Sequence, residues 1–418
     1  DEKVPADGVI TGYGVIGDRL VYVYSQDVSA MGGAIGEMNA AKIARLYDMA
    51  IKAGAPVIGL LDCAGVRIKE AVDALEGFGK IYKSKIAANG VIPQISAVLG
   101  ACGGGVAISS MLGDFTFISN EGSLFVNSPN AIENNNVQKC DTSAPKYQAE
   151  CGNVDFLCET EEEVFAGIRD LIDILPQNCN DFAGKVTEDD MNRMLAGSDA
   201  ITSDPATALA EISDDNNFIE IKKEHAKDMI IGLMTVNGIT IGAIANGPEK
   251  VLSAAGCKKA ENFIYFCDSF DIPIVTFTNV CGYASSMDEE AMIAKSVADM
   301  TAAFSLAGVP RINIITGEAY GSAYVAMNSG HIGADLVLAL EGAKIGVMDS
   351  KNMARIIYED EISNSKDSKA SLEDKQKEID EMYDNAGIAA KRGYVDNIIP
   401  FAQVRKQLIY ALMMFGMR

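Results

Sequence analysis

Displacing the chain by 217 residues lays it over itself: Lys42 falls on Lys259, Pro56 on Pro273, Asp62 on Asn279, Gly65 on Gly282, Pro93 on Pro310 and Gly104 on Gly321. Solenoid and propeller repeats run to only roughly 20–50 residues. The 418 residues therefore read as two copies of one domain, expected at 1–214 and 215–418. Each copy also has the same order of elements. In the first, Ile43, Leu46, Tyr47, Ala50 and Ile51 form a helical stripe that stops at Gly54 and Pro56, and Val57–Leu61 is an apolar strand. In the second, Ala260, Phe263, Ile264 and Cys267 form the stripe, Pro273 ends it, and Ile274–Thr278 is the strand. Then come, in both, a proline, a strand (Gln94–Val98; Arg311–Ile315), a glycine turn, a small-residue helix (Val106–Leu112; Ala323–Ser329) and a further strand (Phe115–Ile118; Leu336–Leu340). Such alternation predicts α/β domains with mainly parallel pairing.

Between the copies lies an acidic connector, roughly 133–215, with two helix starts of capping-box form, Thr160-x-x-Glu163 and Thr187-x-x-Asp190. The charged stretch Glu359–Asp384 reads as a solvated helix or loop. Lys and Arg number 35 against 58 Asp and Glu, a net charge of −23, which disfavours a nucleic-acid partner. No apolar run reaches the length of a membrane span, and no signal-peptide pattern opens the chain. The nine cysteines are scattered with no C-x-x-C pair, so reduced thiols in a cytoplasmic protein are expected.

Candidate side-chain catalysts are few. Only two histidines exist: His225, in a charged run, reads as a surface residue, and His331, after the small-residue helix, reads as a cap or core residue. HExxH, the P-loop and EF-hand spacing are all absent, so no metal site is expected. What remains is a glycine turn in each copy, Gly100–Gly105 and Gly317–Ala323, following a buried-type strand and opening a helix. There, free backbone N–H groups and the positive end of a helix dipole converge. Such a point cradles a phosphate, stabilises an oxyanion, or serves only close strand–helix packing. The G-x-G-x-x-G spacing of a dinucleotide fold fails.

Further segments narrow the choice. Gly17–Asp27, Gly54–Ile68 with its Asp62-Cys63-Ala64-Gly65-Val66-Arg67 core, Gly90–Ser96, Phe266–Pro273, Ala319-Tyr320-Gly321-Ser322-Ala323-Tyr324 and Ala389–Asp396 occur in this order. Together they make the chain resemble the carboxyltransferase subunit of biotin-dependent acyl-CoA carboxylases and decarboxylases, of the propionyl-CoA carboxylase beta-chain type. The resemblance implies an α/β fold of two duplicated crotonase-like (ClpP/crotonase) domains of the ββα superhelix type. It implies that the N-terminal domain takes the acyl-CoA and the C-terminal domain the biotin. Carried over by position, Gly104 and Gly105 would offer amides to the thioester oxygen, and Ser322 and Ala323 to the ureido oxygen of biotin. Ala64, Gly65, Arg67 and Gly103 would shape the first pocket, and Gly282, Gly321, Tyr324 and Val325 the second. Val325 stands where propionyl-type members commonly have an acidic residue.

The implied reaction moves a carboxyl group between carboxybiotin and the α-carbon of a short acyl-CoA. It needs two oxyanions stabilised and no protein base, which suits a chain with no usable histidine. No biotin-attachment motif occurs, so biotin is expected on a separate biotin carboxyl carrier protein, with coenzyme A entering as part of the substrate. The other implied partners are a biotin carboxylase or a membrane decarboxylase subunit, and further copies of the chain, as a dimer or trimer of dimers. Two readings stay open beside carboxylation: the decarboxylating half of a sodium-pumping acyl-CoA decarboxylase, and an inactive scaffold that binds the carrier.

Overall fold

The structure is a computed structural model and describes residues 6–182, 184–196, 200–365, 367–382 and 385–416. In the first copy, β1 (Val9–Ile16) turns back on β2 (Arg19–Gln26) through Gly17, whose φ of 57° is the left-handed conformation glycine adopts freely. Every later pairing in this sheet is parallel. It runs through β3 (Val57–Cys63), β4 (Gln94–Gly103), β5 (Phe115–Ser119) and β7 (Phe156–Cys158), with short β6 (Ser123–Phe125) beside the far end of β4. β3 and β5 are apolar and almost wholly buried, as strands covered on both faces must be. The Glu37–Ala53 helix supplies one cover through Ile43, Leu46, Tyr47 and Ala50, and stops where Gly54 turns left-handed before Pro56.

The second copy repeats this. β8 (Phe218–Ile221), β9 (Met229–Val236) and β10 (Ile239–Asn246) lead into β12 (Ile274–Val280), β14 (Arg311–Tyr320), β15 (Leu336–Leu340) and β17 (Asn397–Ile399), while β16 (Lys344–Gly346) lies beside the far end of β14. β11 (Val251–Leu252) and β13 (Gly282–Tyr283) pair separately. The likeness extends to single hydrogen bonds. The Val57 amide donates to the Pro93 carbonyl at 3.0 Å, and the Ile274 amide to that of Pro310 at 2.9 Å. Asp114 accepts from the Gln94 amide at 2.7 Å as Asp335 does from Arg311 at 2.8 Å. Asp155 accepts from Thr116 at 2.7 Å as Asp396 does from Val337 at 2.8 Å.

Two compact units result. One is Asp1–Gly184 with Ile221–His225 and Ser269–Asp271; the other is Lys185–Glu220, Ala226–Asp268 and Ile272–Arg418. The division after Gly184 precedes the 214/215 seam expected from the repeat. The reason is apolar: Leu195, Ile201, Ala208, Leu209 and Ile212 of the connector pack into the core of the second unit. Of the two connector caps, Thr160 accepts the Glu163 amide and starts the Glu161–Ile174 helix. Thr187 starts none. Its hydroxyl accepts the Asp189 amide, and Arg193 then pins the segment as a loop through Asp189 and the Glu211 and Ser213 carbonyls. The charged stretch forms the helices Glu359–Asn364 and Ser368–Met382.

Candidate active site

The glycine runs are less of a turn than the sequence suggests. β4 continues through Gly103 and β14 through Tyr320, each switching neighbour on the way. Ala101–Gly103 pair with β6, and Glu318–Tyr320 with β16. The bend falls at Gly104 and Gly321, both at φ 60°. One device holds both bends. Asp62 Oδ1 accepts the Ala101 amide at 3.1 Å, and Asn279 Oδ1 accepts the Glu318 amide at 2.9 Å. A Cβ on Gly100 would lie 2.3 Å from the Asp62 carboxylate, and one on Gly317 2.6 Å from the Asn279 amide oxygen. Those glycines are needed so that the side chain can reach across.

In the first unit the bend opens a cavity of about 650 Å³, walled by Ala64, Gly65, Val66, Gly103, Gly104 and Gly105 and by Leu75, Phe78 and Tyr82 of the Ala71–Ala88 helix. The wall carries no Asp, Glu, Lys, Arg or His. The Gly104 amide is not free, because it donates to the Phe125 carbonyl at 2.8 Å. Gly105 is the first residue of the Gly105–Met111 helix, and its amide has no acceptor among the described residues. The Gly105 carbonyl is fixed from behind by the Tyr82 hydroxyl at 2.7 Å. Of the two donors expected here, only Gly105 can serve.

The second cavity, about 680 Å³, is walled by Gly321, Ser322, Tyr324, Val325, His331, Val347, Met348, Met353, Met382, Arg392 and Tyr394 among others. Ser322 is exposed on it in the first turn of the Gly321–Ala326 helix, where amides lack intrahelical acceptors. Its Oγ accepts from the Tyr283 hydroxyl at 2.8 Å. Ala323 lies behind it, buried, and does not reach the wall.

Two further expected residues lie off the cavities. Arg67 is gripped by Asp7 at 2.8 Å and Glu70 at 3.1 Å and braces the loop after β3. Gly282 sits in the β11–β13 pair. Sequence reasoning missed Phe78 and Tyr82, although Leu75, Phe78 and Tyr82 have the spacing of one helix face. It also missed His331 as a wall residue. The ring is exposed, 6.0 Å from Tyr324 and 5.0 Å from Tyr394, rather than capping or in the core.

Residues 1–415 match the carboxyl transferase domain model. The chain belongs to the carboxyl transferase family. A propionyl-CoA carboxylase carboxyltransferase subunit of Haloferax mediterranei is 36% identical over 431 residues, 99% of this chain and 84% of that protein. A methylmalonyl-CoA decarboxylase subunit alpha of Propionigenium modestum is 37% identical over 433 residues, 99% and 83%. Among solved structures, the transcarboxylase 12S hexamer with methylmalonyl-coenzyme A bound superposes with a TM-score of 0.92 at 32% identity, covering 99% of this chain and 82% of that one. The chain is thus an enzyme of carboxyl transfer with the duplicated crotonase-like fold.

Two predictions follow from how this carboxyl transferase holds its bends. Because Asn279 does for the second bend what Asp62 does for the first, Asp62→Asn should keep kcat within about twofold of wild type. Asp62→Ala should lower stability by about 1 kcal/mol, the net worth of one hydrogen bond, as read by urea titration. An unstable Asp62→Asn protein would contradict the equivalence.

The second concerns Glu318, which accepts from Lys250 Nζ at 2.6 Å and from the Cys281 thiol at 3.1 Å. Partial burial pushes its carboxyl up, but the Lys250 ammonium and Cys281 outweigh this and the net direction is down. Burial, followed by the hydrogen bond to Glu318 and its charge, pushes the Cys281 thiol up to about 12. Cys281 should therefore resist iodoacetamide at pH 8 despite its exposure. Glu318→Gln removes the negative charge, lowers the thiol and should speed alkylation several-fold. Unchanged alkylation kinetics would count against the Glu318 contact.

Proposed function

We propose that the chain moves a carboxyl group between carboxybiotin on a carrier protein and the α-carbon of a short acyl-CoA, with the thioester in the first cavity and the biotin ring in the second. One observation carries the reading: two equivalent bends each bring the first turn of a helix to a cavity, and the wall of the first carries no Asp, Glu, Lys, Arg or His. Backbone donors aimed at an oxygen that gains negative charge suit a reaction that enolises a thioester. Phe78, Leu75 and Val66 give the first cavity an apolar lining beside the Gly105 N–H, which suits the acyl part of a thioester. The second cavity would suit a biotin ring: Val347, Met348, Met353 and Ile388 offer apolar contact for the sulfur-containing ring, and the Ser322 amide would serve the ureido oxygen. When bound, carboxybiotin supplies the carboxyl group and, once that group has left, the acceptor for the α-proton.

Relatives named for propionyl-CoA carboxylation and for methylmalonyl-CoA decarboxylation are almost equally similar, at 36% and 37%. The same machinery serves both, and the direction follows from the partner: a biotin carboxylase, or a membrane decarboxylase subunit. We place the enzyme in the cytoplasm as a homo-oligomer. The test is to incubate it with a panel of malonyl-type CoA thioesters and the methyl ester of biotin. Release of the decarboxylated acyl-CoA should depend on the biotin ester. No such dependence with any thioester would sink the proposal.

A further inference from the structure

The two cavities share their bends and differ in charge. The wall of the first is neutral, whereas the second holds one arginine, Arg392. Most arginines of this unit are held: Arg193 by Asp189, Arg405 by Asp214 and Asp189, and Arg311 by the Gly333 carbonyl. Arg355 touches Asn352 at 3.5 Å. Arg392 alone among the described arginines of the unit has a side chain with no hydrogen bond or ion pair, and it is exposed. Two ammonium groups beside β14 and β16 differ in this respect: Lys250 is neutralised by Glu318 at 2.6 Å and Lys344 by Asp380 at 3.1 Å.

The backbone under Arg392 is fixed. It ends the Ala386–Lys391 helix, and Gly393 follows in the left-handed region at φ 78°. The Gly393 amide donates to the Ala390 carbonyl and the Tyr394 amide to that of Ala389, both at 3.0 Å. This is the Schellman closure of a helix. It swings Tyr394 onto His331, which in turn meets Tyr324, two residues beyond Ser322. A row of three rings thus joins the arginine segment to the bend that presents the Ser322 amide.

We propose that the Arg392 guanidinium receives the carboxylate that biotin carries on its ureido nitrogen, a role that rests on the function proposed above. Biotin on a carrier is amide-linked and brings no other anion into this cavity, so the transferred carboxylate is the one group a free cation there can meet. Guanidinium matches it with two parallel N–H donors. The neutral wall of the first cavity fits a thioester.

The test uses the full chain, methylmalonyl-CoA as donor and biotin methyl ester as acceptor, since that ester carries no carboxylate until it receives one. Arg392→Met should lower kcat roughly 10–100-fold, the range for a lost hydrogen bond to a charged group. The KM for the ester and for methylmalonyl-CoA should hold within about twofold. Arg392→Lys should regain part of the loss, because the charge returns without the fork. Arg392→Gln, nearer in size, serves the same purpose should the Met variant fail to fold. Gly393→Ala, strained at a left-handed position, should reproduce a smaller kcat loss. Wild-type kcat in Arg392→Met or Arg392→Gln would overturn the inference, as would a loss that falls wholly on either KM. A wild-type enzyme with no ester-dependent turnover would instead overturn the functional reading itself.

Discussion

Ser322→Pro should lower kcat by roughly 10²–10³, about 2.7–4 kcal/mol of transition-state stabilisation, if its amide serves the second oxyanion. Ser322 is the cleaner of the two positions for this test. It already carries a Cβ, and proline is tolerated in a first helical turn. Ser322→Ala is the control: it removes only the hydroxyl that accepts from Tyr283 at 2.8 Å and should stay within about tenfold of wild type. At the first bend, a Cβ on Gly105 would lie 2.8 Å from the Phe78 ring. Gly105→Pro must therefore be compared with Gly105→Ala, which makes the same clash and keeps the N–H. The kinetic gap between them reports the amide. Equal rates for Ala and Pro at both positions, with circular dichroism unchanged, would refute backbone oxyanion holes.

Arg405→Met should destabilise the second unit by about 3–5 kcal/mol. The Arg405 guanidinium is fully buried, 2.6 Å from Asp214 and 2.8 Å from the Ile212 carbonyl. Asp214 also accepts the Asn237 and Gly238 amides at 2.9 and 2.7 Å, tying the β9–β10 hairpin to the end of the connector. Methionine fills the space and leaves that carboxylate buried without its cation. Urea unfolding should then show a second-unit transition at lower denaturant, with the first-unit transition in place. Adding Asp214→Asn should recover part of the loss, since the residual charge is what costs most. An unmoved midpoint would show that the hairpin amides alone satisfy Asp214.

What was legible in the sequence follows the physics that writes patterns. Repetition at fixed spacing, strand–proline–strand order and the stops at Gly54 and Pro273 are local signals, and they placed both sheets. The resemblance named both bends. What stayed hidden depends on which neighbour an amide meets. Gly104 and Gly105 are the same residue type, one after the other, yet the first donates to Phe125 and only the second is free. Ser322 and Ala323 differ likewise in facing the cavity or the core. The seam was misplaced because an acidic composition concealed the apolar stripe of Ala208, Leu209 and Ile212. Thr187-x-x-Asp190 has the letters of a cap, but an Arg193 anchored at long range competes with the helix. Arg67, expected to shape the first pocket, is held off it by Asp7, a contact that only the fold creates.

The bends have a consequence for how such an enzyme ages under mutation. Their donors belong to the main chain, which every residue type except proline carries, so side-chain drift at Ser322 or its neighbours leaves the donor standing. A departure from the family's usual residue at that spot is therefore no sign of a dead copy. Removing such a donor takes an insertion or a proline at the bend. The cavity walls, in contrast, are built from side chains on separate elements: the Ala71–Ala88 helix for one, and Val347, Met348, Met353 and Arg392 for the other. On the function proposed here, a lineage can thus exchange its substrate while the backbone donors stay untouched.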